Sequence, residues 1–351
     1  ECKYETAGIL APNGKIYFAP SGASRVLCIS PEAGTAELLG PEIRGWERYQ
    51  AAGVLASNGK LYFAPSGASR VLCIDPKADA VDMLGSWILG ENKYRAAGVL
   101  APSGRIYFAP CGASGVGRAL CIDPEMNTAE MLGPTIPGDF LYHSAGVLAP
   151  NGMIYFAPYG ASQVLCIDPV TNTAETLGPA TPDSGSYQSD GVLAENGKIY
   201  FAPYTARQAM CIDPDANAVR LLGPEMRCSG FHYVSPGVLA PNGKIYFAPY
   251  MARQTLCIDP EADTAQPLGP EILGACRYES AGVLALNDKI YFAPSHGGQA
   301  LCIDPDSSTT ELVETELKCC SERYRSAGVL GPDGRIYFAP CGATHVLCID
   351  P

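Results

Sequence analysis

The chain has 351 residues and a formal net charge of −12, from 24 lysines and arginines against 36 aspartates and glutamates. This acidic balance disfavours nucleic acids and anionic membrane surfaces as partners, because phosphate binding depends mainly on lysine and arginine. No apolar run in the sequence approaches the ~20 residues that a membrane-spanning helix needs. A chain of this length can bury one large core, and we expect a single domain over residues 1–351.

One motif recurs eight times from end to end. Each copy reads approximately Ala-Gly-Val-Leu-Ala, a tight turn, Ile-Tyr-Phe-Ala-Pro, a loop and Leu-Cys-Ile-Asp-Pro. The first glycine of the motif stands at Gly8, Gly53, Gly98, Gly146, Gly191, Gly237, Gly282 and Gly328. A nearly fixed period of this length is typical of repeat architectures.

Residues 53–85 show what one repeat builds. Four short apolar runs predict strands, which we name a, b, c and d in chain order: 53–56, 61–64, 71–74 and 81–84. Asn58-Gly59 predicts a two-residue hairpin turn between a and b, because both residues accept positive φ. Asp75-Pro76 predicts a turn after strand c, in which the aspartate caps the backbone. No segment has the periodicity of a helix.

Four short antiparallel strands per repeat predict the blade of an all-β, eight-bladed β-propeller. Both faces of a blade are apolar because each blade packs between two others. A parallel β-helix is the weaker alternative, since its rungs are shorter and lack hairpin turns. Strand d occurs only seven times, the last around Glu311–Val313, and the sequence ends at Pro351 where an eighth would begin. We therefore expect the last blade to be short or incomplete.

The amino-acid sequence of the blade resembles that of two known kinds of propeller. Lys15-Ile16-Tyr17-Phe18 and Cys73-Ile74-Asp75-Pro76 are similar to the blades of "Tyr-Val-Thr-Asn" and quinoprotein-like propellers. The longer motif Gly-Val-Leu-Ala-Pro-Asn-Gly-Lys-Ile-Tyr also resembles the repeats of proteins that are common in marine algae. These resemblances imply the fold over the whole chain and leave the function open, because propellers include enzymes, receptors and scaffolds.

The chain is cysteine-rich, with 15 cysteines in two groups. Eight occupy one position of strand c: Cys28, Cys73, Cys121, Cys166, Cys211, Cys257, Cys302 and Cys348. Stacked sheets lie ~10 Å apart and a disulfide needs Cα atoms within about 7 Å, so we expect these eight to be buried, unpaired and unable to form a metal ring.

Seven further cysteines fall in the d–a or b–c loops: Cys2, Cys111, Cys228, Cys276, Cys319, Cys320 and Cys341. Cys341 could pair with Cys2 across the ring closure or with Cys320. These loop cysteines lead us to favour a secretory or organelle lumen, although the unpaired strand cysteines argue the other way.

Changes in length between repeats are confined to the d–a and b–c loops, which share one face of a propeller. All length changes fall there, which is typical of a binding face. The predicted binding residues on this face combine aromatic side chains, arginine and methionine: Tyr159, Tyr204, Tyr250, Arg207, Arg253, Met251, Trp46 and Trp87, with Phe231 near them. Such a composition indicates an interface hot spot; the alternative is a solvated rim.

Two features near the predicted central channel complete the candidates. A tyrosine precedes each strand-a glycine by four residues: Tyr4, Tyr49, Tyr94, Tyr142, Tyr187, Tyr233, Tyr278 and Tyr324. We interpret these tyrosines as packing of the crossover between blades; the alternative is a ring of phenols around a ligand. Asp190 replaces the usual Ala or Pro before Gly191, and is either a functional carboxylate or a solvent-facing residue.

The sequence favours a non-catalytic binding or scaffold propeller that engages a protein partner or a larger assembly through the d–a and b–c loops. Its four histidines form no metal-ligand spacing, and we predict no catalytic set, metal or cofactor. The first alternative is a quinoprotein-like or lactonase-like enzyme acting in the central channel, with Cys319-Cys320 as a vicinal pair. The second is a carbohydrate-binding lectin.

Overall fold

The computed structural model describes residues 3–112, 117–180, 186–226, 230–274, 277–296, 298–315 and 324–351. The chain divides into two compact units, residues 1–180 and 181–351. In the described ranges no helix is long and apolar enough to cross a membrane.

The first unit contains four sheets. Their strands are β1 (Ile9–Leu10), β2 (Ile16–Phe18), β3 (Val26–Ser30), β4 (Thr35–Leu39), β5 (Val54–Leu55), β6 (Leu61–Phe63), β7 (Val71–Asp75), β8 (Ala80–Leu84), β9 (Val99–Leu100), β10 (Ile106–Phe108), β11 (Ala119–Asp123), β12 (Thr128–Leu132), β13 (Val147–Leu148), β14 (Ile154–Phe156), β15 (Val164–Asp168) and β16 (Thr173–Leu177).

The second unit contains the remaining four sheets. Their strands are β17 (Val192–Leu193), β18 (Ile199–Phe201), β19 (Ala209–Asp213), β20 (Ala218–Leu222), β21 (Val238–Leu239), β22 (Ile245–Phe247), β23 (Thr255–Asp259), β24 (Thr264–Leu268), β25 (Val283–Leu284), β26 (Ile290–Phe292), β27 (Gln299–Asp304), β28 (Thr309–Glu314), β29 (Val329–Leu330), β30 (Ile336–Phe338) and β31 (Leu347–Ile349).

Each repeat forms one antiparallel sheet with its strands in the order a-b-c-d, and the chain is an eight-bladed, all-β propeller. Seven sheets have four strands, and the eighth has the three strands β29, β30 and β31. The predicted strands of the second repeat agree with β5 to β8 within one residue at every end. The predicted incomplete last blade is also confirmed.

Neighbouring blades within a unit interlock through two different apolar faces. In blade 2, Tyr62 and Cys73 lie on one face and pack against Ile106 and Phe108 of blade 3. The same pairing of faces recurs between blades 1 and 2 and between blades 5 and 6. Alternation of side chains along the strands presents these two faces, so a blade that packs between two others buries both of them. In blade 8 the corresponding tyrosine, Tyr337, is 37% exposed.

The repeated strand-a glycine is required by a close approach of the strand-b phenylalanine. A Cβ added at Gly98 would lie 2.4 Å from the ring of Phe108, and the same clash recurs at the first glycine of all eight repeats. The tyrosine that follows the crossover packs on this phenylalanine as well, as Tyr187 does edge-on against Phe201. Glycine and phenylalanine therefore form one packing unit per blade, and the tyrosine ring joins it in blades 1 and 5.

The a–b turns differ from the predicted two-residue hairpins. In blade 1 the Gly14 amide donates to the Ala11 carbonyl and the Ala11 amide donates to the Lys15 carbonyl, which leaves a three-residue loop with Gly14 at φ 78°. Only the glycine has positive φ. Asn13 is used elsewhere, because its amide nitrogen bridges the Tyr17 hydroxyl (2.9 Å) and the Pro76 carbonyl of blade 2 (2.7 Å). The asparagine thus joins neighbouring blades.

The aspartate of the Ile-Asp-Pro motif is a turn former, as predicted. Asp75 accepts hydrogen bonds from the Lys77 and Ala78 amides, and it pairs with Lys60 at 3.2 Å. In blade 1, Ser30 replaces this aspartate, and Lys15 pairs instead with Asp79 of blade 2 at 2.9 Å.

The strand-c cysteines are free, and seven of them are buried as predicted. Burial raises the pKa of the Cys121 thiol to about 11, so it stays protonated at neutral pH. Cys348 is exposed, and the prediction that all eight are buried is wrong there. Tyr337, on the same face of this sheet, is 37% exposed as well, so this face lacks the packing that buries Tyr62 and Cys73 in blade 2.

Candidate functional site

The d–a and b–c loops of each unit are joined by backbone hydrogen bonds into one surface, which we call the loop face. The Arg48 amide, in the first d–a loop, donates to the Ser21 carbonyl of blade 1 at 3.2 Å. The Ser66 amide of blade 2 donates to the Arg48 carbonyl at 2.8 Å. His232 is held in the same way between blades 5 and 6. Within each unit the two kinds of loop therefore share one face.

The residue directly after the strand-b proline, at the start of the b–c loop, differs in size and burial between repeats. Its small side chains are buried in four blades: Ser21, Ser66, Cys111 and Ser295. Tyr204 and Tyr250 are instead half-buried, and the ring of Tyr204 stacks on Phe231 with centroids 4.7 Å apart. The Phe231 carbonyl also accepts a hydrogen bond from the Met251 amide at 3.0 Å. The structure thus brings these predicted residues of blades 5 and 6 together.

A cleft of about 280 Å³ opens between blades 5 and 6, beside these aromatic rings. Its apolar lining includes Leu222, Met226, Met251, Leu256 and Pro267. Met251 is 40% exposed, so its flexible side chain stands at the cleft entrance. An apolar concave site with a few polar groups at its rim is the usual form of a binding pocket.

The rim of this cleft carries two pairs of opposite charges. Arg253 bonds to Glu271 at 3.1 Å, and both side chains are more than half exposed. Arg207 lies 3.8 Å from Glu225, also in an exposed pair. Exposed pairs of this kind add little stability to the fold. They are therefore free to exchange partners when another charged surface approaches.

Three departures from the repeat make this cleft. Met226 occupies the position of Ile43, Ile88, Ile136 and Ile272 in other d–a loops. Pro267 interrupts strand β24, which is tolerated because strand d is the outer edge of its blade. Met251 replaces a glycine found in five repeats, and at Gly67 a Cβ would lie 1.7 Å from the Trp46 carbonyl oxygen.

The predicted residues of the first unit lie on its loop face but in separate places. Trp46 and Trp87 are 74% and 72% exposed in successive d–a loops. Tyr159 stacks on His143, with ring centroids 4.3 Å apart. These residues present apolar surface to solvent, and their part in binding stays a prediction.

The residues directly after the crossover tyrosines form polar contacts between blades. The sequence analysis did not predict these contacts. Gln50 donates to Glu5 at 3.1 Å and accepts from Arg95 at 2.9 Å, so three blades of the first unit are linked. In the second unit Arg325 pairs with Glu279 at 2.9 Å. The signal was available, because this position changes from repeat to repeat while the tyrosine before it does not.

His143 also directly follows a crossover tyrosine, Tyr142, and its titration gives a testable prediction. Burial, with a smaller contribution from the Arg95 charge, lowers the pKa of His143 to about 4. Because the unfolded chain binds this proton more tightly, stability is complete above the unfolded pKa and falls as the pH drops towards 4. Between pH 7.5 and pH 5 we expect the free energy of unfolding to fall by at most about 2 kcal/mol from this group.

Urea unfolding of the wild type and a His143→Gln variant at the two pH values measures this contribution. The variant should lose less stability on acidification than the wild type does. Replacing exposed His345 with glutamine serves as the matched control for the substitution itself. Equal acid sensitivity of wild type and His143→Gln would show that His143 is not held neutral in the fold.

The crossover tyrosines are packing residues. Each hydroxyl donates to the backbone carbonyl 21 or 24 residues further on, just before strand c of the same blade, as Tyr49 does to Arg70 at 3.0 Å and Tyr94 to Arg118 at 3.1 Å. Burial raises the pKa of the Tyr49 and Tyr94 phenols well above the ordinary value. The alternative of a ring of phenols open to a ligand is wrong, because the hydroxyls are turned into their own blades.

The remaining candidates are placed as follows. Asp190 is exposed, in line with its solvent-facing alternative, and its part in binding stays a prediction. Among the residues that the structure describes, no group of three His, Cys, Asp or Glu could hold a metal ion. Of the loop cysteines, Cys111 is buried and Cys341 is exposed. The others lie outside the described residues: Cys2, Cys228, Cys276, Cys319 and Cys320.

Comparison with known proteins identifies the fold. No known family profile matches the chain, and no curated protein matches its sequence. The Dos1 propeller is similar in structure, with a TM-score of 0.61 at 12% identity over 98% of this chain and 93% of that one. A catalytically inactive virginiamycin B lyase from Staphylococcus aureus, solved with quinupristin, gives 0.53 at 13% identity over 84% and 92%.

A third similar structure is the extracellular domain of a one-component system from B. thetaiotaomicron. It gives a TM-score of 0.50 at 10% identity over 96% of this chain and 51% of that one, so this chain spans about half its length. An enzyme and a sensor domain thus share the fold. At such low identities the likeness establishes a β-propeller and no more.

Proposed function

We propose that this propeller is a non-catalytic binding protein that holds a protein partner on the loop face of blades 5 and 6. The observation that carries the proposal is the cleft between these blades, which Met226 and Met251 line beside the stacked rings of Tyr204 and Phe231. An apolar side chain of the partner fills the cleft. The stacked aromatic pair, joined to Met251 through the hydrogen bond from the Met251 amide to the Phe231 carbonyl, would offer the partner a further apolar contact.

The chemistry of the cleft supports a protein rather than a small polar ligand. Aromatic residues, methionine and arginine are enriched at protein interfaces. Methionine adapts its shape to an apolar partner at small cost because its side chain is unbranched and flexible. The surrounding arginine–glutamate pairs, Arg253 with Glu271 and Arg207 with Glu225, provide the polar rim that surrounds such a centre.

The remaining predicted residues extend this proposal. Tyr250 lies next to Met251 in the chain and is half-buried on the same loop. Trp46, Trp87 and Tyr159 offer further contacts on the loop face of the first unit. A larger assembly that contacts both units through this kind of surface would use them. We place the partner's main anchor in the cleft because it combines an apolar lining, depth and a charged rim.

A Met251→Asp substitution tests the proposal. It places a charge at the cleft entrance, and we expect it to weaken partner binding at least about tenfold, since hot-spot substitutions cost 2 kcal/mol or more. The measurement is affinity capture from source-cell extracts with tagged wild type and variant, followed by quantitative mass spectrometry. Proteins that bind the loop face should be depleted with Met251→Asp and, to a smaller extent, with Tyr204→Ala.

The matched control is Leu286→Asp, at an apolar residue of an a–b turn that is 78% exposed and so even more accessible than Met251. This variant should retain every protein that the wild type captures. If Leu286→Asp and Met251→Asp lose the same proteins, or if no captured protein depends on Met251, the proposal is wrong.

A further inference from the structure

The first unit carries a row of polar side chains directly after its crossover tyrosines: Glu5, Gln50, Arg95 and His143. Most contacts of this row join a donor to an acceptor. Gln50 donates to Glu5 at 3.1 Å, and the side chain of Arg95 donates to Gln50 at 2.9 Å. The Ser66 hydroxyl donates to the same oxygen of Gln50, also at 2.9 Å. The row is therefore closely bonded from Glu5 to Arg95.

The step from Arg95 to His143 lacks an acceptor. Nε2 of His143 is buried and has no hydrogen-bond partner among the residues that the structure describes. Nε of Arg95 donates to Gln50 and Nη2 lies 3.6 Å from Glu47, whereas Nη1 makes no hydrogen bond within the described ranges. A buried nitrogen without a partner costs free energy, so an acceptor placed between the two side chains would stabilise this part of the loop face.

Backbone hydrogen bonds bring Arg95 and His143 to the same b–c loop, that of blade 3. The Cys111 amide donates to the Lys93 carbonyl at 2.7 Å, and the Leu141 amide donates to the Cys111 carbonyl at 2.8 Å. Arg95 and His143 each stand two residues after these bonded neighbours. The Arg95 charge also acts on His143, because it adds to the larger effect of burial in lowering the pKa of the imidazole. The two side chains therefore lie close enough to share one ligand.

The surroundings of the two side chains favour one class of acceptor. Glu47 stands beside Arg95 and offsets part of its charge, so the site suits a single negative charge better than two. The ring of Tyr159 stacks on His143 with centroids 4.3 Å apart, and the ring of Phe140 meets His143 edge-on at 6.0 Å. Phe140 is 44% exposed, so an apolar group that enters beside His143 can pack on it.

We propose that Arg95 and His143 bind a small monocarboxylate that carries an apolar group. The carboxylate accepts hydrogen bonds from Nη1 of Arg95 and from Nε2 of His143, which carries the proton of the neutral imidazole. The apolar group packs against Phe140 and Tyr159. This site belongs to the first unit and is separate from the cleft between blades 5 and 6.

An NMR titration of the histidine rings tests the proposal, with sodium benzoate and sodium acetate as probes and sodium chloride holding the ionic strength constant. The His143 signal is assigned from its loss in His143→Gln. We expect it to shift saturably with both probes, and benzoate to bind about fivefold more tightly than acetate because its ring buries apolar surface. At slightly alkaline pH, where inorganic phosphate is mostly a dianion, phosphate should bind more weakly than benzoate.

Variants of Arg95 show whether its charge holds the carboxylate. Arg95→Gln should weaken benzoate binding at least about tenfold, since a charge-assisted hydrogen bond is lost, and Arg95→Lys should weaken it less. Arg44→Gln, at an exposed arginine of the same unit, is the matched control and should bind as the wild type does. Unchanged signals of the other histidines show that each variant is folded.

Three results would each overturn the proposal. The first is a His143 signal that does not shift saturably with benzoate, which would mean that water alone satisfies Nε2. The second is equal benzoate affinity in the wild type and Arg95→Gln. The third is phosphate or acetate binding as tightly as benzoate, because the site would then not select a monocarboxylate with an apolar group.

Discussion

Replacing Gly53 with alanine is expected to lower the free energy of unfolding of the first unit by about 3 kcal/mol. A Cβ at this position would lie 2.2 Å from Cε1 of Phe63. The Phe63 ring is fully buried between blades 1 and 2, so it can move away only by opening that interface. Urea unfolding followed by tyrosine fluorescence measures the change.

The control is Gly230→Ala, because a Cβ there meets nothing within 4 Å and the glycine has ordinary φ. It should change the free energy of unfolding by less than about 0.5 kcal/mol. A second-site Phe63→Leu change should lower the loss caused by Gly53→Ala, since residues in contact are energetically coupled. Equal effects of Gly53→Ala and Gly230→Ala would contradict the packing of glycine against phenylalanine.

Replacing Arg277 with methionine is expected to destabilise the second unit by about 3 kcal/mol. Arg277 is 5% exposed, and its guanidinium donates to the carbonyls of Leu273, Ala252 and Gly274. Methionine fills much of the same space but leaves these carbonyls without that donor. Each buried group left unsatisfied costs about 1–3 kcal/mol, partly offset here because a buried cation is removed.

An Arg335→Met variant is the matched control, because Arg335 makes an exposed pair with Asp350. Its loss should stay below about 1 kcal/mol. Arg277→Lys should lie between the two, since an ammonium cannot reach three carbonyls in the planar arrangement of a guanidinium. If Arg277→Met were as stable as Arg335→Met, the d–a loop beside the cleft would not depend on this cation.

The repeat made most of the fold predictable from the sequence. Short apolar runs bounded by glycine, proline and Asp-Pro turns predicted β5 to β8 nearly residue by residue, and one blade is the template for the other seven. The incomplete last blade also followed from the repeat count. The exposure of Cys348 was missed, because the prediction treated all eight strand-c positions as equivalent, whereas the sheet face that carries Cys348 and Tyr337 is exposed.

Contacts between repeats were harder to predict than contacts within them. Asn13 looked like a turn residue, and its bridge to Pro76 of the next blade depends on the distance between blades, which local sequence does not specify. The same holds for the site. The variation at Met251 was visible in the sequence, but its cleft also needs Met226 and Pro267, which lie in a different loop and a different strand.

Site-specific photocross-linking tests the central claim most directly. A benzophenone amino acid would replace Met251 in one protein and Leu286 in another, both expressed in the source cells. The proposal predicts a cross-link to a discrete partner protein from position 251 and none to that partner from position 286. Cross-linking of the same partner from position 286, without any from position 251, would contradict it.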